Sequence, residues 1–261
     1  MKNTFVVLLI TGLVVVSSGA VRADPDTVTQ VSTIDAILAG AYDGQMTLKE
    51  LKTHGDFGIG TFHGLDGEMI LLDGSFYQVK ATGAVVKPDA GVSTPFAAVV
   101  DFSPDISFPI DGKLDLEGLK SLLDQKAPGE NTFSAVKVHG TFSRIKTRSV
   151  PAQTKPYPPL TEVTKHQPVF ERAGLTGTLV GLRAPAYVKG INVPGYHFHF
   201  LSDDHGAGGH VLGFSLENGT AEIDTCNRFL LILPREDEAF QEINLGVDRT
   251  KELHEAETDD H

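Results

Sequence analysis

Apolar and polar positions along the chain repeat with two different periods, and the switches between them divide it into elements. Ile34 to Ala41 and Gln45 to Thr53 read as short helices, the second carrying Met46, Leu48 and Leu51 near helical spacing before Gly55. From Phe57 to Val86 the pattern becomes that of strands: Gly58 to Phe62 leads into Asp66-Gly67, and Glu68 to Leu72 leads into Asp73-Gly74. Asp-Gly between apolar runs predicts hairpins, because glycine tolerates the positive φ of such turns, so this region reads as an antiparallel meander. Phe96 to Phe102 predicts another strand, and Asp115 is placed to cap a helix with Leu116, Leu119, Leu122 and Leu123 on one face. Strands resume from Thr132 to Ser149, then at Leu175 to Leu182, Gly195 to Leu201, His210 to Leu216 and Phe229 to Leu233. The proline-rich Pro151 to Pro159 cannot continue a central strand and reads as a crossing or junction near 151–160. Asp248 to Ala256 reads as a short C-terminal helix followed by an acidic tail, and residues 24–33 as a polar, irregular, mobile start. The class is α+β with β dominant, and residues 24–261 read as one domain in two sub-parts.

The first two dozen residues stand apart. Lys2, an apolar run from Phe5 to about Val16, then small residues ending Val21-Arg22-Ala23 have the order of a secretory signal peptide, residues 1–23. The run is shorter than the roughly 20 residues of a spanning helix, and nothing later is longer, so no membrane partner is expected. The protein is expected to be exported, to a periplasm or beyond the cell. A net charge of -12 over 261 residues argues against nucleic acid as a partner, since phosphate binding needs a basic surface. It does not exclude a small anionic substrate, which one local basic group can hold. The single Cys226, just ahead of Phe229 to Leu233, cannot form an internal disulfide and reads as a packing residue.

Candidate chemistry concentrates in Gly195-Tyr196-His197-Phe198-His199-Phe200-Leu201. On a strand, His197 and His199 share one face while Tyr196, Phe198 and Phe200 share the other. Ser202 to Gly209 is rich in Asp and Gly and reads as a loop, after which His210 opens the next strand. If the two strands pair, His210 returns to the first two histidines. Three neutral imidazoles are a common catalytic arrangement for zinc, leaving coordination positions open and the ion's charge undiminished. The competing reading is two partly buried core histidines and one at a loop edge; His205, inside the loop, reads as solvated. Glu68 is either a solvated strand-end carboxylate or a catalytic acid. Arg144, Lys146 and Arg148 alternate along one face, which is either an exposed basic face or an anion site, and Glu252, Glu255 and Glu257 read by themselves as a solvated tail. Cupin-type metalloenzymes also carry two histidines so spaced, but follow them with a glutamate, where this chain has Asp203 and Asp204. An exported metal- or ligand-binding protein is the reading from outside enzymology, and it would have no need of Arg148 or Glu68.

Three longer segments decide between these readings. They are Ser32-Thr33-Ile34-Asp35-Ala36 continuing into Gly40-Ala41-Tyr42-Asp43-Gly44, His54 to Phe62 continuing through Leu65-Asp66-Gly67-Glu68, and Gly195 to Ser202 continuing through Ala207-Gly208-Gly209-His210-Val211. Together they resemble the alpha-acetolactate decarboxylase family, over about Ser32 to Glu257. The resemblance implies His197, His199 and His210 as zinc ligands, Glu68 as a carboxylate near the metal, Arg148 as the active-site arginine and Thr61 as a hydroxyl lining the pocket. It also implies a C-terminal glutamate at the zinc, which Glu257 fits best, with Glu255 as the alternative. Further implications are a mixed α/β structure of mixed and antiparallel sheets in two closely packed parts, a homodimer, and conversion of 2-acetolactate to acetoin. That reaction needs no pyridoxal or thiamine, because the electrons left by carbon dioxide can flow into the neighbouring ketone. It does need a carboxylic acid to protonate the enediolate, either Glu68 or Glu257.

Overall fold

The computed structural model describes residues 25–235 and 237–257, so the expected leader, residues 1–23, lies outside the described residues. The architecture is α+β and β-dominant, built from two main sheets packed face to face. The first has seven strands in the order Arg228–Ile232, Thr27–Val31, Ala97–Val100, Phe57–Thr61, Glu68–Leu72, Ser75–Val79, Val85–Val86. Its pairings are antiparallel except that of Thr27–Val31 with Arg228–Ile232, which is parallel. The predicted meander is its second half: Asp73 (φ 48°) and Gly74 (φ 71°) form the two-residue turn that places Leu72 opposite Ser75. Two short strands, Met46–Thr47 and Ser93–Thr94, form a separate ribbon.

The second sheet contains the long strands Phe133–Arg148, Val169–Ala184 and Gly208–Cys226, the shorter Gly195–Ser202, and Ile106–Leu114 at its edge. Gly208–Cys226 pairs with Gly195–Ser202 over its first residues and with Phe133–Arg148 from His210 to Cys226. That double pairing closes the sheet on itself. Gly209 makes the junction possible: its φ is +127°, and a Cβ there would stand 2.4 Å from the carbonyl oxygen of Arg148.

Between the sheets lies a core from Val28, Phe57, Ile59, Ile70 and Val100 on one side to Phe133, Val180, Leu182, Leu201 and Cys226 on the other. The far face of the second sheet is covered by the helix Leu116–Lys126, which Asp115 caps by accepting from Gly118 N at 2.8 Å. Leu119 and Leu123 bury that helix, each burial contributing about 1.5–3 kcal/mol. Three further helices, Ile34–Leu38, Leu160–Thr164 and Thr250–Glu257, pack on one another and form a cap with its own apolar cluster. No helix among the described residues is long and apolar enough to cross a membrane.

The described part of residues 24–33 departs from the expected irregular start. Thr27–Val31 is a fully buried strand between two neighbours, and the polar Gln30 within it donates to the carbonyls of Ser32 and Ile191 and accepts from Asn192. Its polar residues read as loop; Ile191 and Asn192, which hold Gln30, lie some 160 positions away and leave no local trace. Pro151–Pro159 leads from the second sheet to the cap helix Leu160–Thr164, whereas the chain passes between the two sheets at 101–105 and at Asn227.

Candidate active site

Strand pairing puts three of the expected residues in one transverse row. His199 pairs with His210, and His210 pairs on its other side with Arg148, so all three side chains leave the same face of the second sheet. His197, two residues before His199, joins them, while Phe198 and Phe200 are buried in the opposite core. One ligating nitrogen from each of His197, His199 and His210 lies within 4.8 Å of the others. His197 Nε2 and His210 Nδ1 are 2.9 Å apart. His199 is held from the first sheet: its Nδ1 is 2.8 Å from the carbonyl oxygen of Met69. A carbonyl can only accept, so Nδ1 carries the hydrogen and Nε2 presents a lone pair. That Nε2 is fully buried and has no hydrogen-bond partner. An orphaned acceptor at the convergence of three imidazoles fits a bound cation, and the three nitrogens are a donor set suited to zinc.

Burial also fixes the protonation of the ring nitrogens. The His197 imidazolium is pushed down to about 3, first by burial and then by the Arg148 guanidinium. His199 and His210 are held well below the ordinary histidine value, again first by burial. All three are neutral near neutral pH, as a metal ligand must be.

Facing the imidazoles are two carboxyl groups and the arginine. Glu68 opens its strand opposite Thr61 in the first sheet, which brings both into the gap between the sheets. Its Oε1 accepts from Val150 N at 3.2 Å and its Oε2 lies 3.6 Å from His199 Nε2. Burial raises the Glu68 carboxyl to about 7, against the opposing pull of Arg148 and the Val150 N–H. Glu257 arrives from the last helix, its Oε2 3.7 Å from His210 Nε2 and 3.9 Å from His197 Nε2, and burial raises its carboxyl too. Arg148 is 4% exposed, and its Nε and Nη1 have no partner. A buried guanidinium with free donors is costly unless an anion meets it, so these N–H groups mark where an anion belongs. Thr61 lines the same space but donates its hydroxyl hydrogen to Gly67 O at 2.8 Å, so its oxygen is left to act as an acceptor. The cavity enclosed by these groups is small, about 60 Å³.

Other sequence candidates lie elsewhere. Glu255 pairs with Lys251 at 3.6 Å and Glu252 with Arg249 at 3.6 Å, so of the C-terminal acids it is Glu257 that stands at the histidines. Arg144 is exposed and paired with Glu171. His205 is exposed and lies against Tyr77 at a tilt of 50°, with ring centroids 4.7 Å apart. The cavity also has residues that the sequence pattern did not single out: Ile34 and Ile37, Phe96, Val150, Leu160, Thr164 and Ala256. Pro159 before Leu160 and Glu162 in the first turn were the available signs of that short cap helix, but five residues give no periodicity to read.

Fold and site together define a class: a two-sheet β-rich protein whose imidazoles, carboxyls and guanidinium converge on a cavity sized for a small anion. Residues 28–247 match the family model for alpha-acetolactate decarboxylase, and the chain belongs to that family. The alpha-acetolactate decarboxylase of Methanosarcina mazei is 48% identical over 232 residues, covering 89% of this chain and 80% of that protein. The crystal structure of the Bacillus subtilis strain 168 alpha-acetolactate decarboxylase superposes with a TM-score of 0.86 at 38% identity, covering 89% of this chain and 99% of that one. A Staphylococcus aureus protein described as of unknown function, similar to alpha-acetolactate decarboxylase, gives 0.85 at 32% identity over 88% and 99%. The matched residues include Thr61, Glu68, Arg148 and the three histidines, while Glu257 lies beyond their end.

Proposed function

We propose that this carboxy-lyase converts 2-acetolactate to acetoin at a zinc centre held by His197, His199 and His210. The observation that carries the metal is the buried, unpartnered Nε2 of His199 within the triad. When bound, zinc supplies Lewis-acid polarisation of the substrate's ketone, where negative charge develops. The remaining roles belong to the chain. Arg148 binds the substrate carboxylate through its free N–H donors, fixing the bond to be broken. As that C–C bond breaks, carbon dioxide leaves and its electron pair enters the ketone, giving an enediolate that must take up one proton at carbon.

In this reading Glu68 delivers that proton. Its Oε1 is engaged as an acceptor by Val150 N, so the hydrogen of the neutral acid sits on Oε2, the oxygen facing His199. Burial keeps that acid form accessible near neutral pH. Glu257 closes the other side of the cavity and is the second carboxyl in reach of the triad. Delivery from one fixed face makes the product chiral.

Two further expectations stand as proposals. The basic, apolar and small-residue order of residues 1–23 supports export with cleavage after Ala23, to be read by N-terminal sequencing of the mature protein. A homodimer is supported by the apolar Leu230 on the outer strand of the first sheet and Leu233 just past its end, both about half exposed, and sedimentation of the purified protein measures it. The reaction itself is tested by incubating purified protein with racemic 2-acetolactate and following carbon dioxide and acetoin together. Equal release of both supports the assignment; no release above the spontaneous rate overturns it.

A further inference from the structure

The lining of the cavity divides largely by chemistry and by origin, with Glu257 and Thr164 the polar groups that the cap adds. The two sheets supply the three histidines, Glu68, Arg148 and Thr61, whereas the opposite wall is apolar and comes mainly from the cap through Ile34, Ile37, Leu160 and Ala256. These four belong to an apolar cluster distinct from the one that joins the sheets. Leu160 opens its helix, Leu160–Thr164, and Ile37 projects from Ile34–Leu38; both are almost completely buried. A 2-hydroxy-3-oxo acid carries its carboxylate, hydroxyl and ketone oxygen on three adjacent carbons. Once those oxygens face Arg148 and the imidazoles, its alkyl groups have the cap side left to them.

We infer that the cap is the specificity wall of this enzyme, and that Leu160 with Ile37 sets the largest alkyl group the substrate can carry at the carbon bearing its hydroxyl. This rests on the decarboxylase reading above and adds to it the residues that measure the substrate's apolar side. In this wall the branched Ile34, Ile37 and Leu160 pack with Ala256 and with Leu65, Phe96 and Val150, which also line the cavity, so it cannot retreat without leaving a void. A substrate longer by a methylene or two must therefore displace packed carbon. An apolar pocket discriminates by about 10–200-fold per methylene.

The experiment compares kcat/KM for 2-hydroxy-2-methyl-3-oxobutanoate with its 2-ethyl and 2-propyl homologues, in the wild type and in Leu160→Ala, Ile37→Val and Val163→Ala. Val163 is the control: it shares Leu160's helix and apolar cluster but does not line the cavity. The expected result is a rise of about tenfold or more in the 2-propyl to 2-methyl ratio for Leu160→Ala, a smaller rise for Ile37→Val and none for Val163→Ala. General loosening or partial unfolding lowers all substrates together and leaves the ratio in place. Unchanged ratios in both wall variants, or an equal shift in Val163→Ala, overturn the inference while leaving the decarboxylase intact. If Leu160→Ala does not fold, the gentler Ile37→Val decides. A wild type that turns over none of the three substrates removes the decarboxylase reading and this inference with it.

Discussion

On the sheet side of the cavity, Arg148, His210 and His199 are fixed by hydrogen-bonded register across three neighbouring strands. On the cap side, Ile37, Leu160 and Ala256 are held by packing among helices of five, five and eight residues. The first arrangement allows little adjustment, because a strand slipped by one residue turns every side chain to the wrong face. The second can change its side chains singly. Chemistry that needs several polar groups within a few ångströms sits on the rigid side, and contact with the part of the substrate that varies sits on the adjustable one. The last helix serves both, bringing Glu257 to the histidines and Ala256 to the wall.

If that division is right, damage to the polar side should act on rate and damage to the cap on selectivity and stability. The largest effect is expected for His199→Ala, a loss of about 10⁴-fold or more in kcat, since Lewis-acid stabilisation of several kcal/mol corresponds to a decade per 1.36 kcal/mol. Far-ultraviolet circular dichroism of that variant should remain that of the wild type. Glu68→Gln preserves an acceptor for Val150 N but has no acidic hydrogen, so turnover should fall by about 10²–10³-fold with substrate binding retained. Single-turnover kinetics separate the two, and wild-type turnover would pass the proton to Glu257.

Gly209→Ala tests the rigidity itself. With φ at +127° and a Cβ forced against Arg148 O, urea unfolding should show a loss on the order of 3 kcal/mol. An unchanged midpoint would mean that the junction of the three strands is not locked.

The smallest effect concerns charge beneath the cap. Asp35, almost completely buried in the first cap helix, has its carboxyl raised by burial, with Arg249 opposing and Glu252 and Asp248 adding to the rise. A raised folded-state value means that the native state holds its proton more tightly than the unfolded chain. The stability this contributes is complete below the ordinary aspartate value and is lost as pH rises through the raised one. Hydrogen exchange of the cap amides should therefore quicken over that interval beyond the intrinsic pH trend, and Asp35→Asn should flatten the excess. An identical excess in the variant would place the pH response elsewhere.

Much of the polar side is written locally in the sequence. His197 and His199 announce a shared strand face by their spacing, and the Asp-Gly and Gly-Gly pairs mark where neighbouring strands turn or approach. The helix behind Asp115 was equally plain, because eleven residues with a cap and a leucine stripe carry their own signal. What escaped depends on distant partners. Thr27–Val31 becomes a central strand through neighbours beginning at Ala97 and Arg228. Ile106–Leu114 tolerates Pro109 because it lies at a sheet edge, where one missing N–H is harmless. The carbonyl of Met69 that orients His199 is a backbone group, which no side-chain pattern reports.

The central claim is that turnover depends on a metal at His197, His199 and His210, and the most direct measurement is metal content and acetoin formation followed together through chelation and metal restoration. The account predicts about one zinc per chain, loss of acetoin formation as that zinc is removed, and recovery on its return. Full activity in protein shown to be free of metal would contradict it.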